Sequence, residues 1–243
     1  MADKIQQEVK GKAMKRAKQS VRERMTVSAL HHPKPDLSIE QSFCGTVVGI
    51  DEAGRGPWAG PVVAGAVILK PRFIPDGIND SKKMTRLQRE RLFLEIRENA
   101  QFGIGIASVE EIDRLNILQA SLLAMARAYE NLMQHRGLEP ITVLVDGNRC
   151  PALPVATLPV VGGDRRSLSI AAASIVAKVT RDRIMHELAE SFPHYGWERN
   201  AGYGTATHQL ALAQHGVTPH HRRSFAPVRA LLQNTGEAER SVA

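Results

Sequence analysis

The chain has 243 residues, of which 43% are hydrophobic and 23% charged, enough to bury a substantial core in one main domain. Its 32 Lys and Arg outnumber 25 Asp and Glu, for a formal net charge of +7, and that balance favours a polyanionic partner. No apolar stretch reaches the roughly 20 residues of a membrane span, no N-terminal apolar run reads as a secretory signal, and Cys44 and Cys150 have no zinc spacing. A reduced cytoplasmic protein without membrane attachment is expected, and nothing demands more than a monomer.

Residues 1 to 40 hold nine Lys or Arg and five Asp or Glu and lack apolar periodicity. They read as a basic, mobile arm that adds salt-sensitive affinity for phosphates, or as a plain solvated tail. Thr46-Val47-Val48-Gly49-Ile50 has the β-branched character of a buried strand. It runs into Asp51 and Glu52, followed by the glycine-rich turn Ala53-Gly54-Arg55-Gly56-Pro57, where backbone can approach a ligand closely. Residues 61–69 and 102–107 read as two further strands, and residues 116–135 as a helix. Ile141 to Val145 forms another strand, which ends at Asp146-Gly147. Asp164 follows Gly162-Gly163 and precedes a long helix over residues 168–192. Short connections suit antiparallel pairing of the first strands, while the strand after the helix suits parallel pairing. The mixed order points to an α/β fold.

Asp146 before glycine is also a common turn former, and Asp164 also suits a helix-flanking acid. Together, Asp51, Glu52, Asp146 and Asp164 suggest a cation site. Hard divalent ions take oxygen ligands, and magnesium is held by a few carboxylates plus substrate phosphate. Such a set suits two-metal phosphoryl chemistry. Neighbours on a regular strand point to opposite faces, so Asp51 and Glu52 are expected to share a site only where the strand ends or bulges. The glycines at 54, 56 and 60 miss the dinucleotide spacing, and no P-loop is present. None of the nine histidines has a diagnostic ligand spacing, and His220 to Phe225 reads as a basic surface patch or loop.

In order along the chain stand Gly-Ile-Asp-Glu-Ala-Gly-Arg-Gly-Pro (49–57), Asn-Asp-Ser-Lys-Lys (79–83), Val-Asp-Gly-Asn (145–148) and Gly-Asp (163–164). Ser-Ile-Ala-Ala-Ala-Ser-Ile-Val-Ala-Lys-Val-Thr-Arg-Asp (169–182) and Gly-Tyr-Gly-Thr (202–205) follow. With these motifs the chain closely resembles ribonuclease HII. The resemblance implies a ribonuclease H-like mixed central sheet flanked by helices, occupying residues 41–232 with a helical C-terminal segment, and a flexible tail at 233–243. It implies cleavage of RNA paired to DNA and of single ribonucleotides embedded in duplex DNA. The cut falls 5′ of the ribonucleotide and leaves 3′-hydroxyl and 5′-phosphate ends. Two divalent ions, Mn2+ or Mg2+, would be held by Asp51, Glu52, Asp146 and Asp164. The Gly54-Arg55-Gly56 turn and Tyr203 would read the 2′-hydroxyl, the one group that separates RNA from DNA at a single position.

By the same resemblance Lys82 and Lys83 look like phosphate contacts, against a solvated surface pair. Ser174 and Lys178 share a helix face, approaching the substrate backbone or packing as small residues. Arg165 and Arg166 suggest added phosphate contact, against a plain surface pair. Met84 and Trp58 depart from the family's usual residues without touching the acids. Ribonuclease HIII would need a large N-terminal domain, which 40 residues do not supply. A catalytically inactive nucleic-acid-binding protein of the same fold is the competing class.

Overall fold

The protein, seen here as a computed structural model, is described over residues 34–134 and 142–241, without the side chains of 234–241. Five strands form one sheet in the order β3-β2-β1-β4-β5. They are β1 (Val47–Ala53), β2 (Val62–Ile68), β3 (Gln101–Ala107), β4 (Thr142–Asp146) and β5 (Ala156–Val160). The first three pair antiparallel, and β1, β4 and β5 pair parallel. Both pairing senses agree with the sequence reading. β1 is longer than expected: its ladder with β2 continues through Asp51, Glu52 and Ala53, so the two acids lie within the strand.

The described helices are α1 (Arg86–Asn99), α2 (Val109–Leu115), α3 (Ile117–Met133), α4 (Leu168–Ser191), α5 (Trp197–Asn200), α6 (Ala206–His215) and α7 (Ala226–Ser241). Thr85 with Gln88 and Ser108 with Glu111 form reciprocal capping boxes that start α1 and α2. Helices cover both faces of the sheet. α3 buries Ala124, Met125 and Ala128 against Val48, Ile50 and Val62 on one face. α4 buries its alanine-rich first half on the other, with α1 packed outside it through Leu92, Phe93 and Ile96.

Close approach requires glycine on each face. A Cβ on Gly105 would stand 2.0 Å from the Ala124 carbonyl oxygen, and one on Gly49 would stand 2.2 Å from the Ser169 main chain. α4 is apolar all round in its first half because the sheet lies on one side and α1 on the other. Its second half meets the C-terminal helices around Met185, Tyr195, Trp197 and Leu212.

The ends of the chain differ from expectation. Residues from Asp36 onward, placed in the mobile arm by the sequence, pack against the start of α4. Leu168 N–H donates to the Asp36 carbonyl at 3.1 Å, and the Glu40 carboxylate accepts from the Ser167 hydroxyl at 2.6 Å and Ser169 N–H at 2.9 Å. Residues 1–33, with most of the basic arm, lie outside the described residues. At the other end, the expected tail from 233 continues α7 as far as Ser241.

Candidate active site

The parallel ladder between β1 and β4 ends at the pair Ile50 and Val145, while β1 runs on along β2 and β4 runs on along β5. A gap therefore opens beyond the carboxyl ends of two parallel strands, the position where open α/β sheets bind ligands. Register places the acids around it. Gly49 stands opposite Leu144. Gly49 faces α4, and Leu144 packs on Ile170 of that helix. Two residues further along each strand the side chains return to the same face, so Asp51 and Asp146 face the α4 side from adjacent strands, near enough for the Asp146 charge to act on Asp51.

Asp164 joins them from a short 3-10 turn, Gly163–Arg165, that leads into α4. The turn is tied to β4 by Gly163 N–H, which donates to Asp146 Oδ1 at 2.7 Å. Ser167 then caps α4 through Ile170 N–H. Glu52 follows near the end of β1, close enough to the cluster for its charge to act on Asp51 and that of Asp146 to act on it, and its Oε1 meets the Arg55 guanidinium at 3.2 Å. Its Oε2 is buried with no hydrogen-bond partner. Among the described residues no three acidic, histidine or cysteine groups close a cage around an ion.

Burial and mutual repulsion shape the protonation of this cluster. Asp51 is 4% exposed, and burial followed by the charges of Glu52 and Asp146 raises its pKa well above the ordinary 3.8. Burial also raises Glu52, against the pull of Arg55. Asp164 is raised by burial and then by Asp146 and Asp80. An uncompensated set of acids is costly in this position. The donor set is all oxygen, one buried oxygen is unpartnered, and the set repels itself, which together fit hard divalent cations rather than thiolate-loving ones.

Lys82 lies in the field of the cluster. Burial lowers its pKa, but Asp51, Asp164, Asp80 and Asp146 outweigh that and raise it. It sits with Lys83 on a 3-10 turn, Ser81–Lys83, capped by the Asp80 carboxylate through Lys82 N–H. Arg89 braces the same turn through the Ser81 and Met84 carbonyls, and Asp182 faces Arg89 at 3.6 Å. Lys178 is engaged with Asp182 at 2.7 Å. The Ser174 hydroxyl is buried and donates to the Ala171 carbonyl. Arg165 faces Asp164 at 3.9 Å.

The turn at Gly54 leaves β1 with φ +98 at that residue. A Cβ on Gly56 would meet the Tyr203 ring at 3.4 Å, so turn and phenol adjoin, and Tyr203 is 47% exposed. Behind Tyr203 lies a buried polar chain that the sequence did not reveal. Thr218 N–H donates to His221 Nδ1 at 3.0 Å, which leaves His221 Nε2 as the donor to His208 Nε2, 3.0 Å away. His208 Nδ1 then donates to the Tyr203 carbonyl at 2.9 Å. Both rings are neutral in this arrangement: burial, then His208, lowers the His221 pKa to about 3, and burial lowers that of His208.

His221 and Arg222 correct the surface-patch reading, since they are 1% and 0% exposed. Their polar atoms are spent on the turns around them rather than on solvent. No periodic signal marks them, because they lie in a loop and not in a helix or strand.

The fold places the chain among ribonucleases H. It is similar to the crystal structure of ribonuclease H2 from Pyrococcus horikoshii OT3, with a TM-score of 0.64 and 26% identity, covering 79% of this chain and 99% of that one. The family model for ribonuclease HII matches residues 48–228. The curated ribonuclease HII of Paramagnetospirillum magneticum is 59% identical over 198 residues, 80% of this chain and 96% of that protein. The ribonuclease HII of Magnetococcus marinus is 56% identical over 208 residues, 83% of this chain and 97% of that protein. The chain therefore belongs to the ribonuclease HII family, and is a ribonuclease H that acts on RNA/DNA hybrids.

Proposed function

We propose that this enzyme cuts the RNA strand of hybrids and also cuts 5′ of single ribonucleotides embedded in duplex DNA, leaving 3′-hydroxyl and 5′-phosphate ends, in ribonucleotide and primer removal from DNA. The observation that carries this reading is the register that sets Asp51 beside Asp146 at the carboxyl edge of β1 and β4, with Asp164 held next to them through Gly163. Asp51, Glu52, Asp146 and Asp164 would hold two Mg2+ or Mn2+ ions together with substrate phosphate. When bound, such ions activate water and stabilise the leaving oxygen of an in-line displacement.

The chain's own groups do the positioning. Lys82 and Lys83 receive phosphate oxygens beside the cluster, and Lys178 lines the α4 flank of the same path, while the buried Ser174 hydroxyl is spent within the helix. The Arg55 and Gly56 peptides and the Tyr203 hydroxyl contact the 2′-hydroxyl, which a DNA duplex lacks. Residues 36–232 form the catalytic unit, and the basic stretch before them adds non-specific affinity for duplex phosphates. Action as a monomer fits this reading, and a chain with only two cysteines suits the reducing cytoplasm. Among the described residues no helix is long and apolar enough to cross a membrane.

The test is cleavage of an end-labelled DNA duplex carrying one ribonucleotide, with Mg2+ or Mn2+ against a chelated control. A metal-dependent cut immediately 5′ of the ribonucleotide is expected. Tight binding with no cut under either ion would replace this reading with that of a catalytically inactive binding protein.

A further inference from the structure

Two guanidinium groups are buried behind the Gly54-Arg55-Gly56 turn, and neither has a carboxylate partner among the described residues. Arg181, 1% exposed, donates to the carbonyls of Pro61, Ala201 and Ala59 at 2.9, 2.9 and 3.0 Å. Arg222, fully buried, donates from Nε to Gly60 O at 2.9 Å and from Nη1 to Arg55 O at 3.0 Å. Its Nη2 serves Gly54 O at 2.6 Å and Pro61 O at 3.1 Å. Burying a cation this completely is costly, and every carbonyl it engages belongs to residues 54–61. The loop that carries it is fixed in turn. Arg222 N–H donates to the Trp58 carbonyl at 2.8 Å, Asp113 accepts from Arg223 N–H and Ser224 N–H, and the Phe225 ring lies 5.1 Å from the guanidinium.

In a planar trans peptide the carbonyl and the following N–H point in opposite directions. With the Gly54 and Arg55 carbonyls turned back onto Arg222, the N–H groups of Arg55 and Gly56 are turned away from it. Among the described residues neither N–H takes up a hydrogen bond. Two successive unengaged N–H groups of this kind form a concave donor site for an oxygen ligand.

We infer that Arg222 is a positioning residue for ribose recognition. It holds the Gly54 and Arg55 carbonyls so that the Arg55 and Gly56 N–H pair faces the substrate, and ribonucleotide selectivity thereby depends on a side chain that never touches nucleic acid. The inference rests on the turn's being the 2′-hydroxyl contact. A planar fork is required, because the ammonium of lysine offers no two fixed donors to adjacent carbonyls.

The experiment compares wild type and Arg222→Lys for binding, in Ca2+ to suppress turnover, to a duplex with one ribonucleotide and to the same duplex in all-deoxy form. Wild type is expected to prefer the ribonucleotide duplex, and the variant to lose about tenfold or more of that preference while its all-deoxy affinity stays within about twofold. A folded variant that keeps the wild-type ratio overturns the role of Arg222 and leaves the proposed function intact. Absence of preference in wild type overturns the reading of the turn itself, and the inference with it. If the variant does not fold, 15N-labelled wild type decides: the Arg55 and Gly56 amide signals should move with the ribonucleotide duplex and not with the all-deoxy duplex. Equal movement with both refutes the inference.

Discussion

Gly49→Ala tests whether contact between β1 and α4 sets the geometry of the carboxylates. The added Cβ would stand 2.2 Å from the Ser169 carbonyl carbon and 2.4 Å from both Ile170 N and Ser169 O. Ordinary contact begins at 3.4 Å, so the shortfall is about 1.2 Å. The obstructing atoms are main chain in the first turn of α4, pinned by the Ser167 cap and by Glu40. No side chain can swing aside, so the helix start must lift by about that distance. Overpacking costs typically ~1–3 kcal/mol, and fixed main chain places this case near the upper end. In a protein of this size each kcal/mol lowers Tm by roughly 2–4 °C, so a fall of about 6–12 °C is expected in a thermal unfolding scan. Asp164 lies in the turn directly before that helix, and a ~1 Å misplacement is enough to cost on the order of 10²-fold in rate. Gly147→Ala is the control: nothing lies within 4 Å of its Cβ, and only the backbone φ of +91 opposes it. A Gly49→Ala protein within about 2 °C of wild type, with unchanged cleavage, would refute the argument.

Asp51→Asn should abolish cleavage yet stabilise the metal-free protein at neutral pH. A folded-state pKa raised above 3.8 imposes no penalty below the unfolded value, a growing one as pH rises toward the folded value, and a constant one above it. Metal-free denaturant midpoints at pH 7 check this, and a lower midpoint for the variant would contradict it. The buried imidazoles set the acid limit. With the His221 pKa at about 3 against 6.5 ordinarily, the unfolded state takes up a proton the folded state refuses. Stability is untouched above about pH 6.5 and falls by up to ~1.4 kcal/mol per pH unit for this group on going down toward pH 3. His221→Asn, compared by Tm against pH, should flatten that slope, and an unaltered slope would remove the histidine from the explanation. Lys82→Met should weaken substrate binding and reduce the slope of log affinity against log salt by about 1, and an unchanged slope would take Lys82 off the phosphate path.

What was legible in the sequence followed from local physics. β-branched runs revealed β1 to β3, the short β1–β2 connection indicated their antiparallel pairing and the helix before β4 its parallel pairing, whereas β3 pairs antiparallel with β2 although α1 lies between them. β5 escaped because Pro159 interrupts it and, as an edge strand, it is only partly buried. α1 was hidden by its charge, since only Leu92, Phe93 and Ile96 of its fourteen residues are buried. The four acids stood out as carboxylates at element ends near glycine, and register supplied what spacing did not: Asp51 and Asp146 face α4 from adjacent strands. Arg181, Arg222 and His221 were illegible for a common reason. Their partners are mostly backbone carbonyls and N–H groups, which leave no trace in residue type.

The division of the sheet into an antiparallel half and a parallel half also orders the birth of the enzyme. β1 and β2 are joined directly and β3 returns to β2 after α1, whereas joining Val47 to Thr142 closes a loop of about 95 residues, the slower kind of event. As the chain emerges during synthesis, Asp51 and Glu52 are in place well before Asp146 and Asp164 exist. The four carboxylates are thus brought together only when the second half of the sheet docks.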